Sequence, residues 1–299
     1  MTGLAVAAIQ MRSGMDAAAN IDTLRDLVAE AAGRGARYVQ TPEMTGCLVR
    51  DRASLMAGLR TADDDPVVAA AAELAAAHEI YLHIGSTAVR IGDAAGASAS
   101  GPVAANRAFV FGPDGRCQAV YDKIHMFDVD LDNGESWRES ATYRAGEEMV
   151  TTRIDDTVFG LAICYDIRFP QLFRDQALAG ASVLTAPAAF TRQTGVAHWH
   201  VLQRSRAIEN GAFVISAAQG GDHEDGRETY GHSLIVDPWG RVLAEADGDE
   251  AGVVLAQIDP AESAAARRKI PNLKNSRTYR CAAPETEKTG GTMPAGTGS

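Results

Sequence analysis

Cysteine is scarce in this sequence, and its few positions are widely separated. The 299 residues contain four cysteines, and no two of them form a CxxC pair. This spacing favours neither a disulfide framework nor a zinc site built from thiolates. A cysteine with a chemical role is therefore expected to be a free thiol.

Positive charge and long apolar runs are also limited. The chain carries 28 lysines and arginines against 39 aspartates and glutamates, and this net charge of −11 would repel a phosphate backbone. No stretch approaches the roughly 18 consecutive apolar residues of a membrane span, and residues 1–16 lack the basic start of a secretory signal. We expect a cytoplasmic protein that binds neither nucleic acid nor membranes.

Common cofactor and catalytic motifs are missing as well. The chain has no GxxxxGK[ST], no GxGxxG after a strand, no HExxH and no GxSxG, which argues against phosphate, dinucleotide and serine-nucleophile chemistry. His198 and His200 are two residues apart in a predicted helix, so they point about 200° away from each other. These two histidines are therefore not expected to share a metal ion.

The residues that are present describe a globular α/β protein. Apolar runs alternate with alanine-rich amphipathic runs, and this pattern predicts crossover units of strand, helix and strand. Strands are predicted at 4–11, 37–44 and 79–89, with helices at 21–32 and 66–79. The later part of the chain continues with an extended segment at 151–164, helices at 169–178 and about 196–209, and strands at 181–190 and 212–220.

Two hairpins interrupt the crossover pattern and make the predicted sheets mixed. Residues 106–123 contain a Pro-Asp-Gly turn, and residues 232–246 contain Asp-Pro-Trp-Gly. The similarity of the two turns suggests two similar halves of the chain, although both segments could simply be hairpin turns. The prediction is an α-β-β-α sandwich of two mixed sheets with outer helices.

We expect this sandwich to occupy residues 1–282 as a single domain. Residues 92–103 are small and predict a loop. Residues 283–299 are polar and rich in glycine without periodicity, and they predict a flexible tail.

Cys164 lies at the end of an apolar run and directly before a predicted helix. A sharp turn at such a position exposes the side chain and directs the following backbone N–H groups towards the atom that the sulfur attacks. Cys164 is therefore a candidate nucleophile. The alternative is that it is a small buried apolar residue.

Two charged residues also follow apolar strands. Glu43 follows the second strand, where a buried carboxylate could accept the proton of a thiol, or could be an ordinary loop carboxylate. Lys123 ends the first hairpin, where its charge could favour a thiolate and stabilise an oxyanion. Its alternative role is a salt bridge with Asp122, Asp128 or Asp130.

Three motifs together resemble the nitrilase superfamily of carbon–nitrogen hydrolases. They are TPEM around Glu43, YDKIHMFD around Lys123 and GLAICYDIRFP around Cys164, and the resemblance extends from residue 4 to about Arg280. It implies an α-β-β-α sandwich and a Glu–Lys–Cys triad that hydrolyses non-peptide carbon–nitrogen bonds without a metal or organic cofactor. The second glutamate of the family matches Glu139 better than Glu135.

The resemblance also implies a mechanism. Glu43 would take the proton of Cys164, and the sulfur would attack an amide carbonyl. Lys123 and the backbone N–H of Tyr165 would stabilise the oxyanion, while Glu139 would hold Lys123 and the substrate amide in place. Ammonia would leave, and water would hydrolyse the thioester to a carboxylic acid.

Residues 191–213 and 226–240 resemble the branch that contains omega-amidases and deaminated glutathione amidases. Residues 217–233 look closer to the deaminated glutathione amidases and favour that group. The expected substrate is a small molecule, a carboxylic acid or peptide with a primary amide. Family position suggests Arg168, Phe190, Thr191 and His198 for substrate binding, although Arg168 could instead pair only with Asp166.

Other functions and the assembly stay open at this point. The chain could be an inactive binding subunit, a nitrile or carbamoyl hydrolase of the same superfamily, or a redox-sensing thiol protein. The resemblance implies a homodimer that forms through residues 169–178 and the region past Ile270.

Overall fold

Two six-stranded mixed sheets form the centre of the protein. The computed structural model describes residues 3–91, 104–131, 134 and 136–280. The first sheet has the order β16-β1-β2-β3-β4-β5. Its strands are β1 (Leu4–Gln10), β2 (Tyr38–Gln40), β3 (Tyr81–Arg90), β4 (Ala104–Phe111), β5 (Cys117–Asp122) and β16 (Gly252–Ile258).

The second sheet has the same arrangement of strands as the first. Its order is β15-β14-β11-β10-β9-β8, which matches the first sheet when it is read from β8 to β15. Its strands are β8 (Thr151–Ile154), β9 (Thr157–Gly160), β10 (Val183–Thr185), β11 (Phe213–Ser216), β14 (Leu234–Val236) and β15 (Val242–Glu245). In each sheet three neighbouring strands are parallel. An antiparallel hairpin lies on one side of these three strands, and a single antiparallel strand lies on the other side.

The two predicted hairpins occupy equivalent places in the two sheets. The turn residues repeat the same backbone hydrogen bonds, because Gly115 N–H donates to Gly112 C=O and Gly240 N–H donates to Asp237 C=O, both at 2.9 Å. The similar turn sequences therefore belong to equivalent hairpins in two structurally similar halves.

Helices cover the outer face of each sheet. The first sheet is covered by α1 (Ala17–Gly33) and α3 (Pro66–His78), the second by α4 (Pro170–Leu178) and α5 (Arg192–Asn210). Along β1 the side chains alternate as the strand period requires: Val6 and Ala8 face the second sheet, while Ala7 and Ile9 face the helices. This layering confirms the predicted α-β-β-α sandwich.

The helix starts follow local capping rules. Asp16 caps α1 by accepting from Ala18 N–H, which extends the helix four residues beyond its predicted start. Asp65 caps α3 in the same way, and Pro66 occupies the first position of that helix, where its missing N–H costs nothing. Helix α5 likewise begins at Arg192, ahead of its predicted start.

Short elements complete the described structure. They are α2 (Arg52–Gly58), β6 (Asp128–Asp130), β7 (Ser136–Arg138), β12 (Gly220–Asp222), β13 (Glu228–Tyr230), α6 (Pro260–Lys269) and two 3₁₀ helices at Glu139–Ala141 and Cys164–Arg168. The predicted loop at 92–103 and the predicted tail at 283–299 lie outside the described residues. No helix in the described ranges is long and apolar enough to span a bilayer.

The second predicted strand is shorter than expected. It ends at Gln40, and the chain turns at Glu43 and Met44, while Thr41 and Thr45 keep backbone hydrogen bonds to β3. Gly85 of β3 makes room for this turn, because a Cβ at that position would lie 2.1 Å from the carbonyl oxygen of Thr41. The turn is what places Glu43 beyond the sheet edge.

Candidate active site

Glu43, Lys123 and Cys164 converge in one cavity. Glu43 lies in the turn after β2, Lys123 directly follows β5, and Cys164 begins the 3₁₀ helix beyond β9. The ammonium Nζ of Lys123 donates to Oε1 of Glu43 at 2.8 Å, and the charge of the Glu43 carboxylate helps to raise the pKa of the Cys164 thiol, after burial. The three residues predicted from separate motifs thus line the same cavity.

Cys164 occupies a strained turn. Its φ of +47° lies in the left-handed region that residues with a side chain rarely adopt. The turn is held because Cys164 N–H donates to Pro187 C=O at 2.8 Å, and Asp166 Oδ2 accepts from Ile163 N–H at 2.9 Å. Within the described ranges, the N–H of Tyr165 has no acceptor outside its own 3₁₀ helix, where first-turn donors lack a helical partner.

Lys123 lies between two carboxylates and is almost completely buried. Its Nζ donates to both oxygens of Glu139, at 3.1 and 2.9 Å, in addition to Glu43. Asn106 bridges the same carboxylates by donating to Glu43 at 2.9 Å and to Glu139 at 3.0 Å. The second glutamate therefore contacts the lysine as the resemblance implied.

The alternative salt bridges proposed for Lys123 are not formed. Asp122 pairs with Arg107 at 2.6 Å, and Asp130 pairs with Arg138 at 2.8 Å. Asp128 accepts from the backbone N–H of Ser140. These aspartates have other partners, so the ammonium of Lys123 is directed into the cavity wall beside Glu43.

The electrostatics of the cluster fix its resting protonation. Burial opposes the charged form of Glu43, but the charge and hydrogen bond of Lys123 outweigh it and lower the pKa of that carboxyl. Burial also opposes the ammonium, yet the charges of Glu139 and Glu43 raise the pKa of Lys123 well above its ordinary value. Burial and the charge of Glu43 raise the pKa of Cys164. At neutral pH the site holds a carboxylate, an ammonium and a neutral thiol.

Glu43 is positioned through its second oxygen. Oε2 accepts from the backbone N–H of Ala189 at 2.9 Å, while Oε1 accepts from Lys123 and Asn106. The carboxylate is therefore held by hydrogen bonds to both of its oxygens.

The chain matches a known family over most of its length. A model described as carbon-nitrogen hydrolase matches residues 5–268. The chain belongs to this family. The hydrolase is 36% identical over 276 residues to the deaminated glutathione amidase of Synechocystis sp., covering 90% of this chain and 96% of that protein. It is 34% identical over 283 residues to the omega-amidase NIT2 of Homo sapiens, covering 93% and 96%.

A solved structure supports the same assignment. The hydrolase superposes on Nit3 of Saccharomyces cerevisiae, described as a member of branch 10 of the nitrilase superfamily, with a TM-score of 0.77 and 27% identity. The match covers 90% of this chain and 95% of that structure. The predicted resemblance to the nitrilase superfamily is confirmed, and the protein is a carbon–nitrogen hydrolase.

The residues suggested for substrate binding fall into two groups. Phe190 and Thr191 line the active-site cavity, whose volume is about 270 Å³. Arg168 and His198 do not line it; they contact each other at 3.2 Å, and the Arg168 guanidinium lies over the Phe190 ring at 5.1 Å. Their part in binding substrate stays a prediction.

The proposed pairing of Arg168 with Asp166 is wrong. Asp166 is fully buried and accepts from the Tyr121 hydroxyl at 2.7 Å and from His125 N–H at 3.0 Å, as well as from Ile163. Nδ1 of His125 also lies 2.7 Å from the Asp166 carboxylate, and these contacts explain why it needs no arginine.

Several cavity residues were not predicted from the sequence. Arg50 and Arg227 lie over the ring of Trp137 at 4.9 and 5.0 Å, and all three line the cavity of the hydrolase. Asn106, which contacts Glu43 and Glu139, was not predicted either. Its local signal is that it and Arg107 are the two polar residues of β4, whereas Arg50 and Arg227 carry no local signal.

Proposed function

We propose that this hydrolase cleaves the amide of a small carboxylic acid or peptide through a thioester on Cys164. The observation that supports the proposal is that a buried thiol lines one cavity together with a buried ion pair of a carboxylate and an ammonium. Nucleophile, base and oxyanion donor are the three groups that acyl transfer requires.

The proposed reaction uses Glu43 three times. Its carboxylate takes the thiol proton as Cys164 Sγ attacks the carbonyl carbon, and the oxyanion is stabilised by Lys123 and the N–H of Tyr165. The C–N bond breaks as Glu43 returns the proton to the leaving nitrogen. Glu43 then takes a proton from water, which attacks the thioester, and the thiolate regains that proton as the acid is released.

Charged groups around the cavity support an anionic substrate. Arg50 and Arg227 flank Trp137, and a guanidinium can bind a carboxylate through two parallel hydrogen bonds. Arg227 is also paired with Asp225 at 2.7 Å, which holds its position. A molecule with an amide at one end and a carboxylate at the other would reach from the thiol to these arginines.

Two named relatives suggest different leaving groups. Deaminated glutathione contains a substituted amide, so its hydrolysis releases a dipeptide and not ammonia, whereas 2-oxoglutaramate releases ammonia. Release of ammonia, as the resemblance implied, is therefore expected from 2-oxoglutaramate and not from deaminated glutathione. We favour the deaminated glutathione type, with omega-amidase activity as the second candidate because a relative of that name is 34% identical.

The deciding experiment compares turnover of deaminated glutathione and 2-oxoglutaramate, with both the acid and the nitrogen product measured. A nitrile and an N-carbamoyl acid are included, and Cys164→Ala serves as the blank. We expect the highest kcat/KM for deaminated glutathione. A higher value for the nitrile or carbamoyl compound would contradict the proposal, and no turnover of any compound would favour a binding subunit or a redox-sensing thiol.

Arginine variants test the recognition step within the same assay. Arg227→Leu is expected to raise KM about tenfold or more for carboxylate-bearing amides, because a charge-assisted hydrogen bond is lost. Arg116→Leu removes an exposed arginine of the β4–β5 turn and is the control. Equal KM values for Arg227→Leu and the parent enzyme would contradict a role of this arginine.

We also propose that the hydrolase is a cytoplasmic homodimer. Exposed apolar side chains at Leu178, Ile208 and Ile270 support the interface predicted at α4 and past residue 270. Light scattering of the full chain is expected to give roughly twice 31.5 kDa, and Ile270→Asp is expected to lower it. Met15→Asp, near the start of α1 on the opposite outer layer, is the control. A monomeric parent protein would contradict this proposal.

A further inference from the structure

His200, His232 and Glu245 form a cluster outside the active-site cavity. His200 is on α5, His232 lies between β13 and β14, and Glu245 ends β15. Oε1 of Glu245 lies 2.8 Å from Nε2 of His200 and 2.9 Å from Nδ1 of His232. The three atoms all lie within 4.8 Å of one another.

We propose that this cluster binds a divalent transition-metal ion, with Zn²⁺ as the reference ion. Two imidazole nitrogens and one carboxylate oxygen are a donor set that zinc uses when one coordination position stays open to water. Ligand atoms around a tetrahedral zinc are separated by about 3.3 Å, as zinc–ligand distances of about 2.0–2.1 Å require. The observed spacing needs only small side-chain movements to reach this geometry.

The protein holds the ligands in place before any ion binds. The backbone carbonyl of His232 accepts from Trp199 Nε1 at 2.9 Å, which ties this ligand to the helix that carries His200. The ring of Tyr230 lies 4.3 Å from the ring of His232 and 5.9 Å from that of His200. Such contacts around the ligands orient imidazoles for metal binding.

Charge and access also suit a cation. Glu245 brings a carboxylate oxygen to the two imidazole nitrogens and so supplies negative charge to the donor set. The side chains of His200, His232 and Glu245 are 32%, 28% and 32% exposed, so an ion can enter from solvent. On binding, each imidazole ligates the ion through its unprotonated nitrogen, and a proton that faces the carboxylate is exchanged through water for one on the other nitrogen of the same ring.

The site would join α5 to the hairpin of the second sheet. Thr191 and Thr194, at the start of α5, line the active-site cavity, whereas the cavity lining does not include the three cluster residues. An ion in the cluster would therefore stabilise the helix that forms part of the cavity wall without touching the reacting atoms. The proposal is independent of the amide that the enzyme cleaves.

Zinc binding to the full chain tests the site directly. ZnCl₂ is titrated calorimetrically into tag-free Cys164→Ser protein, because zinc also binds thiols, and Co²⁺ absorption reports the ligand geometry. We expect one equivalent per chain in this cluster and a rise of several degrees in Tm. Glu245→Gln and His200→Gln, made separately, are expected to weaken binding at least about tenfold and to abolish the rise in Tm.

His78→Ala, which removes a surface imidazole on α3, is the matched control and should bind zinc like its parent. Circular dichroism identifies any variant that has lost its fold, and the second variant then decides. Absence of zinc binding to the parent, or binding that neither Glu245→Gln nor His200→Gln weakens, would show that the cluster is only a hydrogen-bonded pair of imidazoles on a carboxylate.

Discussion

Replacing Lys123 with alanine is expected to lower kcat/KM for amide hydrolysis by at least about 10³-fold. One oxyanion donor alone contributes about 10²–10³-fold to turnover. The variant also removes the charge that lowers the pKa of Glu43, so burial is opposed only by the remaining hydrogen bonds and is expected to raise that pKa. A protonated Glu43 cannot accept the thiol proton, so the loss of the base adds to the loss of the oxyanion donor. The measurement is single-substrate turnover at neutral pH.

The same substitution is expected to destabilise the protein at neutral pH. It leaves Glu43 and Glu139 buried, with Asn106 as their shared side-chain donor, and removing one partner of a buried ion pair costs about 3–5 kcal/mol. Arg116→Ala, which removes a cation that is 87% exposed, is the control and should change stability by no more than about 0.5 kcal/mol.

The pH dependence of that stability has a definite sign. In the parent protein the pKa of Glu43 is lowered on folding, so its contribution is present above the unfolded value of about 4.3 and is lost as pH falls through the folded value. In Lys123→Ala the pKa is raised, so stability falls as pH rises from about 4.3 through the new folded value. The variant should therefore lose less stability at pH 5 than at pH 8, measured by urea unfolding against the parent protein. Equal losses of stability at pH 5 and pH 8 would contradict the role proposed for Lys123. So would a Lys123→Ala variant that keeps more than a tenth of the parent's kcat/KM.

The positions proposed as catalytic could be located in the sequence because each follows a predicted strand. Glu43 and Cys164 come after buried runs, whereas Lys123 directly follows the second strand of the first hairpin, and strand ends meet at the edges of the sheets. The crossover pattern and the two hairpins also predicted the layered fold, since long periodic segments carry their own signal.

The remaining features depend on tertiary contacts that no local pattern records. Trp137 is on a three-residue strand, and Arg50 and Arg227 reach its ring from loops more than 170 residues apart in the chain. In the sequence the only histidine near His200 is His198, whereas the folded chain brings His200 together with His232 and Glu245. Three-residue strands such as β12 and β13 are likewise fixed by their pairing and not by their composition.

Replacing Glu43 with glutamine is expected to separate two kinds of thiol chemistry. Glutamine keeps the size of the side chain and can still accept from Ala189 N–H, while Lys123 keeps its contacts with Glu139. The variant cannot take the thiol proton or return it to the leaving nitrogen. We expect kcat/KM for amide hydrolysis to fall by about 10²–10⁴-fold.

Alkylation of Cys164 should respond in the opposite direction. The charge of Glu43 is one of the causes that raise the pKa of Cys164, and Lys123 opposes it. Without the Glu43 anion the thiol ionises at lower pH, so its reaction with iodoacetamide near pH 8 should become faster while hydrolysis is lost. Glu73→Gln, which changes an exposed carboxylate on α3, is the control and should leave both rates unchanged. Hydrolysis within about tenfold of the parent would show that Glu43 is not the base of the reaction. A slower alkylation rate would contradict the charge effect of Glu43 on the pKa of Cys164.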